Sequence, residues 1–126
     1  MNAYQRIRAM VEGNPVDRPG ASVWKHFFLE DQVVNDLVKR TIAFQEQNDW
    51  DLIKVMANGI YVQEQYGSDI IWSRKETEFP ITVRHHINSP KGFTRIKPID
   101  VKTGAVAREV PVIATVFTPL TYAQEL

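Results

Sequence analysis

There is no cysteine anywhere in the 126 residues. That excludes disulfides, thiolate zinc sites and cysteine nucleophiles. Nor does either sign of charge prevail: Lys and Arg number 15, Asp and Glu number 15, and the basic residues are scattered rather than blocked. A chain without a basic stripe has no long-range field to draw nucleic acid or an anionic membrane surface, so neither is expected as a partner. No apolar run approaches the length that crosses a bilayer. The opening residues Met1-Asn2-Ala3-Tyr4-Gln5-Arg6 lack the apolar core of a secretory signal. A phosphate-cradling glycine pattern and a Gly-x-Ser-x-Gly elbow are both missing, and Gly13, Gly20, Gly59 and Gly67 read as caps and turns. A soluble cytoplasmic protein is expected. Its 44% hydrophobic and 24% charged residues are those of an ordinary globular chain, and its length is that of one domain spanning 1–126.

What is present alternates between two periods. Ala3, Ile7, Met10 and Val11 recur at helical spacing, and Gly13 is placed to end the helix. A turn-rich connector, Asn14-Pro15-Val16-Asp17-Arg18-Pro19-Gly20, follows. The short aromatic and β-branched run from Ser22 to Phe28 reads as a strand. Asp31 is positioned to cap a second helix, whose stripe Val34, Leu37, Val38 and Ile42 carries it to about Asn48. Asp51 to Met56 reads as a second strand, and Ile60 to Tyr66 as one or two helical turns closed by Gly67. Asp69–Ser73 and Ile81–Ile87 are strand-like pieces of a hairpin-like excursion, separated by the charged Arg74-Lys75-Glu76-Thr77-Glu78. Thr103 to Glu109 reads as a short helix. Val110 to Phe117 is a near-continuous apolar run, as expected of a parallel strand covered on both faces. Strand–helix alternation of this kind gives a parallel α/β arrangement.

The order of these motifs resembles the N-terminal part of the uroporphyrinogen decarboxylase superfamily. The features that carry the resemblance begin with a helix closing on Glu12-Gly13-Asn14-Pro15-Val16-Asp17-Arg18-Pro19, then a strand with Val23-Trp24. Asp51-Leu52-Ile53-Lys54-Val55-Met56 follows, leading to Gln65-Tyr66-Gly67. Val110-Pro111-Val112-Ile113 through Phe117-Thr118-Pro119-Leu120-Thr121 completes the set. The resemblance implies the first three or four βα units of a (β/α)8 barrel, a fold that typically needs about 250 residues. It therefore implies an N-terminal portion of such an enzyme, inactive alone, acting on a small-molecule substrate. Its partner would be a second copy or a missing C-terminal half.

The activity implied is decarboxylation of tetrapyrrole carboxylates. Methyl transfer with zinc or a corrinoid is the alternative within the superfamily, and a non-catalytic self-associating α/β module is the alternative outside it. In the decarboxylases an arginine-rich loop after the Val-Trp strand grips the carboxylates; here that place holds Lys25-His26-Phe27-Phe28-Leu29-Glu30, without arginine. Where the decarboxylases place an aspartate that cradles pyrrole N–H groups, this chain has Asn58. Zinc ligands of the methyltransferases come from later strands, so no metal and no cofactor are expected within this chain.

Active sites on barrels lie at the C-terminal ends of the strands. This rule singles out Lys25 and His26 after the first strand, Met56 to Asn58 after the second, and Thr115 to Thr118 at the last. His26 and Asn58 are the catalytic candidates; histidine titrates near neutral pH and suits acid–base work. Lys25, Lys54, Phe117 and Thr118 are the substrate-binding candidates. Alternation sends Lys25 and His26 to opposite faces. Lys54, set within an apolar strand, is expected to need a carboxylate or ligand partner. His85 and His86 diverge along a strand and read as an exposed pair rather than a metal site. Trp24, Trp50 and Trp72 read as core or interface aromatics.

Overall fold

In the computed structural model, which describes residues 1–111, short helices alternate with extended segments and one hairpin. The first helix, α1 (Ala3–Val11), starts at Asn2. Asn2 Oδ1 accepts the Gln5 N–H at 2.8 Å, and Gln5 Oε1 accepts the Asn2 N–H at 3.1 Å. This reciprocal capping box satisfies donors that a helix start leaves open. Gly13 follows the helix at φ +73°, in the left-handed region that glycine enters freely. The buried face is not the expected apolar one. Arg6 and Ala9 are buried, while Val11 is 83% exposed.

Helix α2 (Val34–Asn48) does bury its stripe. Leu37 and Val38 form the core with Phe27, and Val34, Ile42, Phe44, Ile53 and Val55 pack around them. The Phe27 and Phe44 rings meet edge to face with centroids 5.6 Å apart, the arrangement their quadrupoles favour. The expected cap is corrected. Val33 occupies the N-cap position with no side-chain hydrogen bond, and a 3-10 turn over Glu30–Gln32 rotates Asp31 inward, where it is 4% exposed.

Residues 21–27 and 53–58 are extended, and the contacts between the two stretches rise together in number. The Asp51 N–H donates to Ala21 O at 2.9 Å, and Ser22 Oγ donates to Leu52 O at 2.7 Å. Further along, Lys54 Nζ lies over the Trp24 ring, and a β-carbon on Gly59 would sit 3.4 Å from His26 Cε1. The stretches therefore run side by side in the same direction. They form no parallel ladder among the described residues, in which the sheet is two-stranded. A pair of strands with no third neighbour is marginal by itself. α2 covers one face of the pair, taking Phe27, Ile53 and Val55.

Helix α3 (Tyr61–Gln65) leads through Gly67, at φ +78°, into the hairpin. Strands β1 (Asp69–Ile71) and β2 (Ile81–Arg84) pair antiparallel, with a register irregularity between Asp69 and Ile70. Gln32 ties the hairpin to the rest: its amide donates to Phe28 O at 2.7 Å and to Ser73 O at 2.9 Å. Beyond a 3-10 turn at Pro90–Arg95, residues 104–111 are helical. Arg108 fixes this helix to α3 by paired bonds to Glu64, at 3.0 and 2.6 Å. Val110 and Pro111, expected to open a strand, belong to this helix and are exposed; residues 112–117 of that expected strand lie outside the described residues.

Candidate functional site

Alternation along the first extended stretch sorts its side chains into two sets. Phe27 goes to the core, with Lys25 Nζ 5.2 Å from its ring centroid. Trp24, His26 and Phe28 go to the other side. His26 meets Trp24 edge to face at 6.2 Å and stacks on Phe28 at 5.9 Å. Phe79, from the hairpin, closes against Phe28 at 4.3 Å. At the opposite end Lys54 Nζ sits 4.4 Å from the Trp24 ring centroid, within the range of a cation–π contact. Lys54 is exposed, and among the described residues its ammonium lies over the Trp24 ring rather than against a carboxylate. Trp24, expected as a core or interface aromatic, is half exposed and forms the platform for Lys54.

A cavity of about 140 Å³ opens at the end of this aromatic row, lined by His26, Phe28, Asp31, Gly59, Ile60 and Phe79 with Pro80. Its polar groups are unusually short of partners. Asp31 Oδ1 and His26 Nδ1 are buried without a hydrogen bond among the described residues, and so is Nδ2 of the adjacent Asn58. Asn58 is wholly buried; its Oδ1 accepts the Ile60 N–H at 3.0 Å, and its own N–H donates to Glu109 Oε2 at 3.3 Å. Glu109 is 6% exposed and arrives from the helical stretch 104–111. Burial, then the nearby charges of Glu109 and Glu30, push the Asp31 carboxyl up to about 6. Burial likewise raises Glu109, opposed by the Asn58 N–H and by Arg108. Two carboxyl groups and an imidazole thus share a largely dry corner.

A second buried polar cluster has the opposite character. Arg6 Nε and Nη2 hold Asp17 at 2.7 and 2.9 Å, Nη2 also donates to Met1 O at 2.6 Å, and Nη1 reaches Asp51. Asp51 accepts further bonds from Arg18 Nη1 at 2.5 Å and the Ala21 N–H at 2.9 Å. Hydrogen bonding by Arg18, the Ala21 N–H and Arg6 holds the Asp51 carboxyl down at about 2. Arg6 takes Asp17 well below the usual carboxylate range. Each charge here is met, and the cluster joins α1, the connector and the starts of both extended stretches.

The structure therefore brings His26 and Asn58 to one corner, sets Lys54 along the same row, and turns Lys25 away. Phe117 and Thr118 lie outside the described residues. His85 and His86 are exposed beyond β2, and His86 lies against Tyr66, ring centroids 5.9 Å apart. Asp31 and Glu109 are the residues that sequence reasoning missed. Asp31 follows the apolar run Phe27-Phe28-Leu29 with only Glu30 between, and Glu109 shares a helix face with buried Ala105 four residues earlier. Among the described residues no three His, Asp or Glu side chains are grouped to hold a metal ion. No helix among them is long and apolar enough to cross a membrane. Compared with family models, curated proteins and solved structures, the chain matches none.

Proposed function

We propose that this chain forms the first βα units of a cytoplasmic, uroporphyrinogen decarboxylase-like barrel enzyme and supplies part of the wall of its substrate pocket. The observation that carries the reading is the division of faces on the two same-direction stretches. α2 takes Phe27, Ile53 and Val55, leaving Trp24, His26 and Lys54 together on the other face. In a barrel the helix side is the outside, the other side faces the packed interior, and the strand ends open onto the pocket. Lys54, an exposed cation, binds a substrate carboxylate in this reading, and Trp24 offers a flat apolar wall for a large ring. His26 and Asn58, at the far ends of the stretches, meet the reacting part of the substrate. The resemblance supplies the reaction: loss of carbon dioxide from a pyrrole-linked carboxylate. Positioned polar groups would stabilise the charge that develops.

Titration with uroporphyrin, followed through tryptophan fluorescence, tests this. Saturable quenching in the micromolar range is expected, and Lys54→Met should weaken it about tenfold, as loss of one charged hydrogen bond does. Quenching that is absent, or that is indifferent to Lys54, would sink the proposal.

A further inference from the structure

We propose that the cavity between His26, Phe28, Asp31 and Phe79 binds a small primary ammonium ion. This goes beyond the decarboxylase-like reading and does not rest on it, because Lys54 and the resemblance play no part.

The argument starts from what the walls leave unmet. Asp31, 4% exposed, lines the cavity with its Oδ1 unpaired among the described residues, and His26 Nδ1 is unpaired beside it. Glu30, next to Asp31 in the chain, does not line the cavity; its Oε1 is 3.7 Å from Arg40. Among the side chains lining the cavity the shortage is of donors; Asn58 Nδ2, a donor without a partner among the described residues, is not in the lining. An ionised carboxylate accepts only, and a neutral imidazole nitrogen can accept. A primary ammonium brings three N–H donors and a compact positive charge.

Charge points the same way. The groups that face Asp31 are Glu30 beside it, Glu109 from the helical stretch 104–111 and His26 from the first extended stretch. Among the described residues no lysine or arginine lines the cavity. Arg108, the nearest counter-charge to Glu109 at 3.3 Å, is shared with Glu64. Burial, then repulsion from Glu109 and Glu30, pushes the Asp31 carboxyl up to about 6. A cation beside Asp31 relieves this repulsion, whereas an anion would add to it. The remaining walls suit an alkyl stem: Phe28 and Phe79 lie 4.3 Å apart, and aromatic faces also attract a cation. The volume, about 140 Å³, is close to the cavity of about 150 Å³ that admits a benzene ring. A stem of a few carbons fits.

The test is calorimetric titration of the full chain with n-butylammonium chloride, with n-butanol as the neutral counterpart. Saturable binding of the amine is expected, tightening about tenfold between about pH 5 and about pH 8 as Asp31 ionises. Asp31→Asn keeps the shape and should weaken binding at least tenfold and flatten the pH profile. Phe79→Ala changes a side chain that is 66% exposed, so the fold is retained, and should weaken binding several-fold. The proposal is overturned by no saturation at the upper pH, by equal binding of n-butanol, or by an Asp31→Asn profile like that of the parent chain. Failure of the uroporphyrin titration would leave this result standing, since that titration reads Lys54 whereas this one reads Asp31 and Phe79; His26 alone is common to both.

Discussion

Two buried polar clusters lie in one small chain, and they are built on opposite terms. Around Arg6 and Asp51 every charge meets a counter-charge or a backbone donor. Around Asp31 and Asn58 like charges crowd together, and polar atoms go unpaired among the described residues. Burying a polar group without a partner opposes folding. A fold that keeps such groups beside a cavity is holding interactions in reserve for something that enters it. Burial alone would have ranked the clusters as equals. Hydrogen-bond satisfaction separates the one that joins the chain's segments from the one that can receive a ligand.

The comparison can be broken most forcefully at Arg6. Arg6→Ala takes one of its two guanidinium partners from buried Asp51 and leaves Asp17 with the N-terminal ammonium and the Arg18 N–H, and breaking a buried ion pair is among the most damaging single changes. It should abolish the cooperative thermal transition followed by circular dichroism. A melt like that of the parent chain would show that the cluster holds nothing together.

A second experiment sharpens the other half. The folded chain keeps Asp31 protonated up to about pH 6, while an ordinary aspartate ionises near 3.8. Between those values the folded state binds more protons than the unfolded one. Stability must then fall as pH rises through the window, by about 3 kcal/mol. Glu109, shifted in the same direction, adds to the slope. Asp31→Asn should therefore match the parent chain near the acid end of the window and exceed it above, as read by urea unfolding at several pH values. Asp51 gives the reverse sign. Its contribution is full above the ordinary carboxylate range and is lost as pH falls through about 2.

The smallest effect is expected where an ion pair is exposed. Lys75 Nζ lies 2.6 Å from Glu78 Oε1, with both side chains more than half exposed. Solvent screening and side-chain entropy leave little for such a pair, so Lys75→Ala should leave the urea midpoint unchanged within error. A marked shift would mean that partnering alone, without burial, stabilises this fold.

Local structure was readable from residue patterns wherever one side chain's period decided it. α2 followed from Val34, Leu37, Val38 and Ile42, and Gly13 and Gly67 stopped helices because they could turn left-handed. The antiparallel hairpin around residues 74–78 was also legible. Arg6 was not. Hydrophobicity alone would place its guanidinium outside, and the carboxylates that draw it in, Asp17 and Asp51, lie 11 and 45 positions away. Asp31 looked like a helix cap because its residue type and position allowed it. The Glu30–Gln32 turn, which no periodicity announces, redirected it inward. Glu109 reaches Asn58 across 51 positions of chain, a contact that only tertiary packing creates. The strand-end rule singled out His26 and Asn58, but it gave no sign of their acidic surroundings.

Gln32 gives this corner its mechanics. One side-chain amide spends both protons on backbone oxygens of different segments, Phe28 on the floor and Ser73 at the root of the hairpin. Phe79 hangs from that hairpin and Asp31 adjoins Gln32 directly, so roof and floor are riveted at a single point. Any tilt of the hairpin that lifts Phe79 pulls on the turn that aims Asp31, and the width of the mouth and the direction of the carboxyl change together.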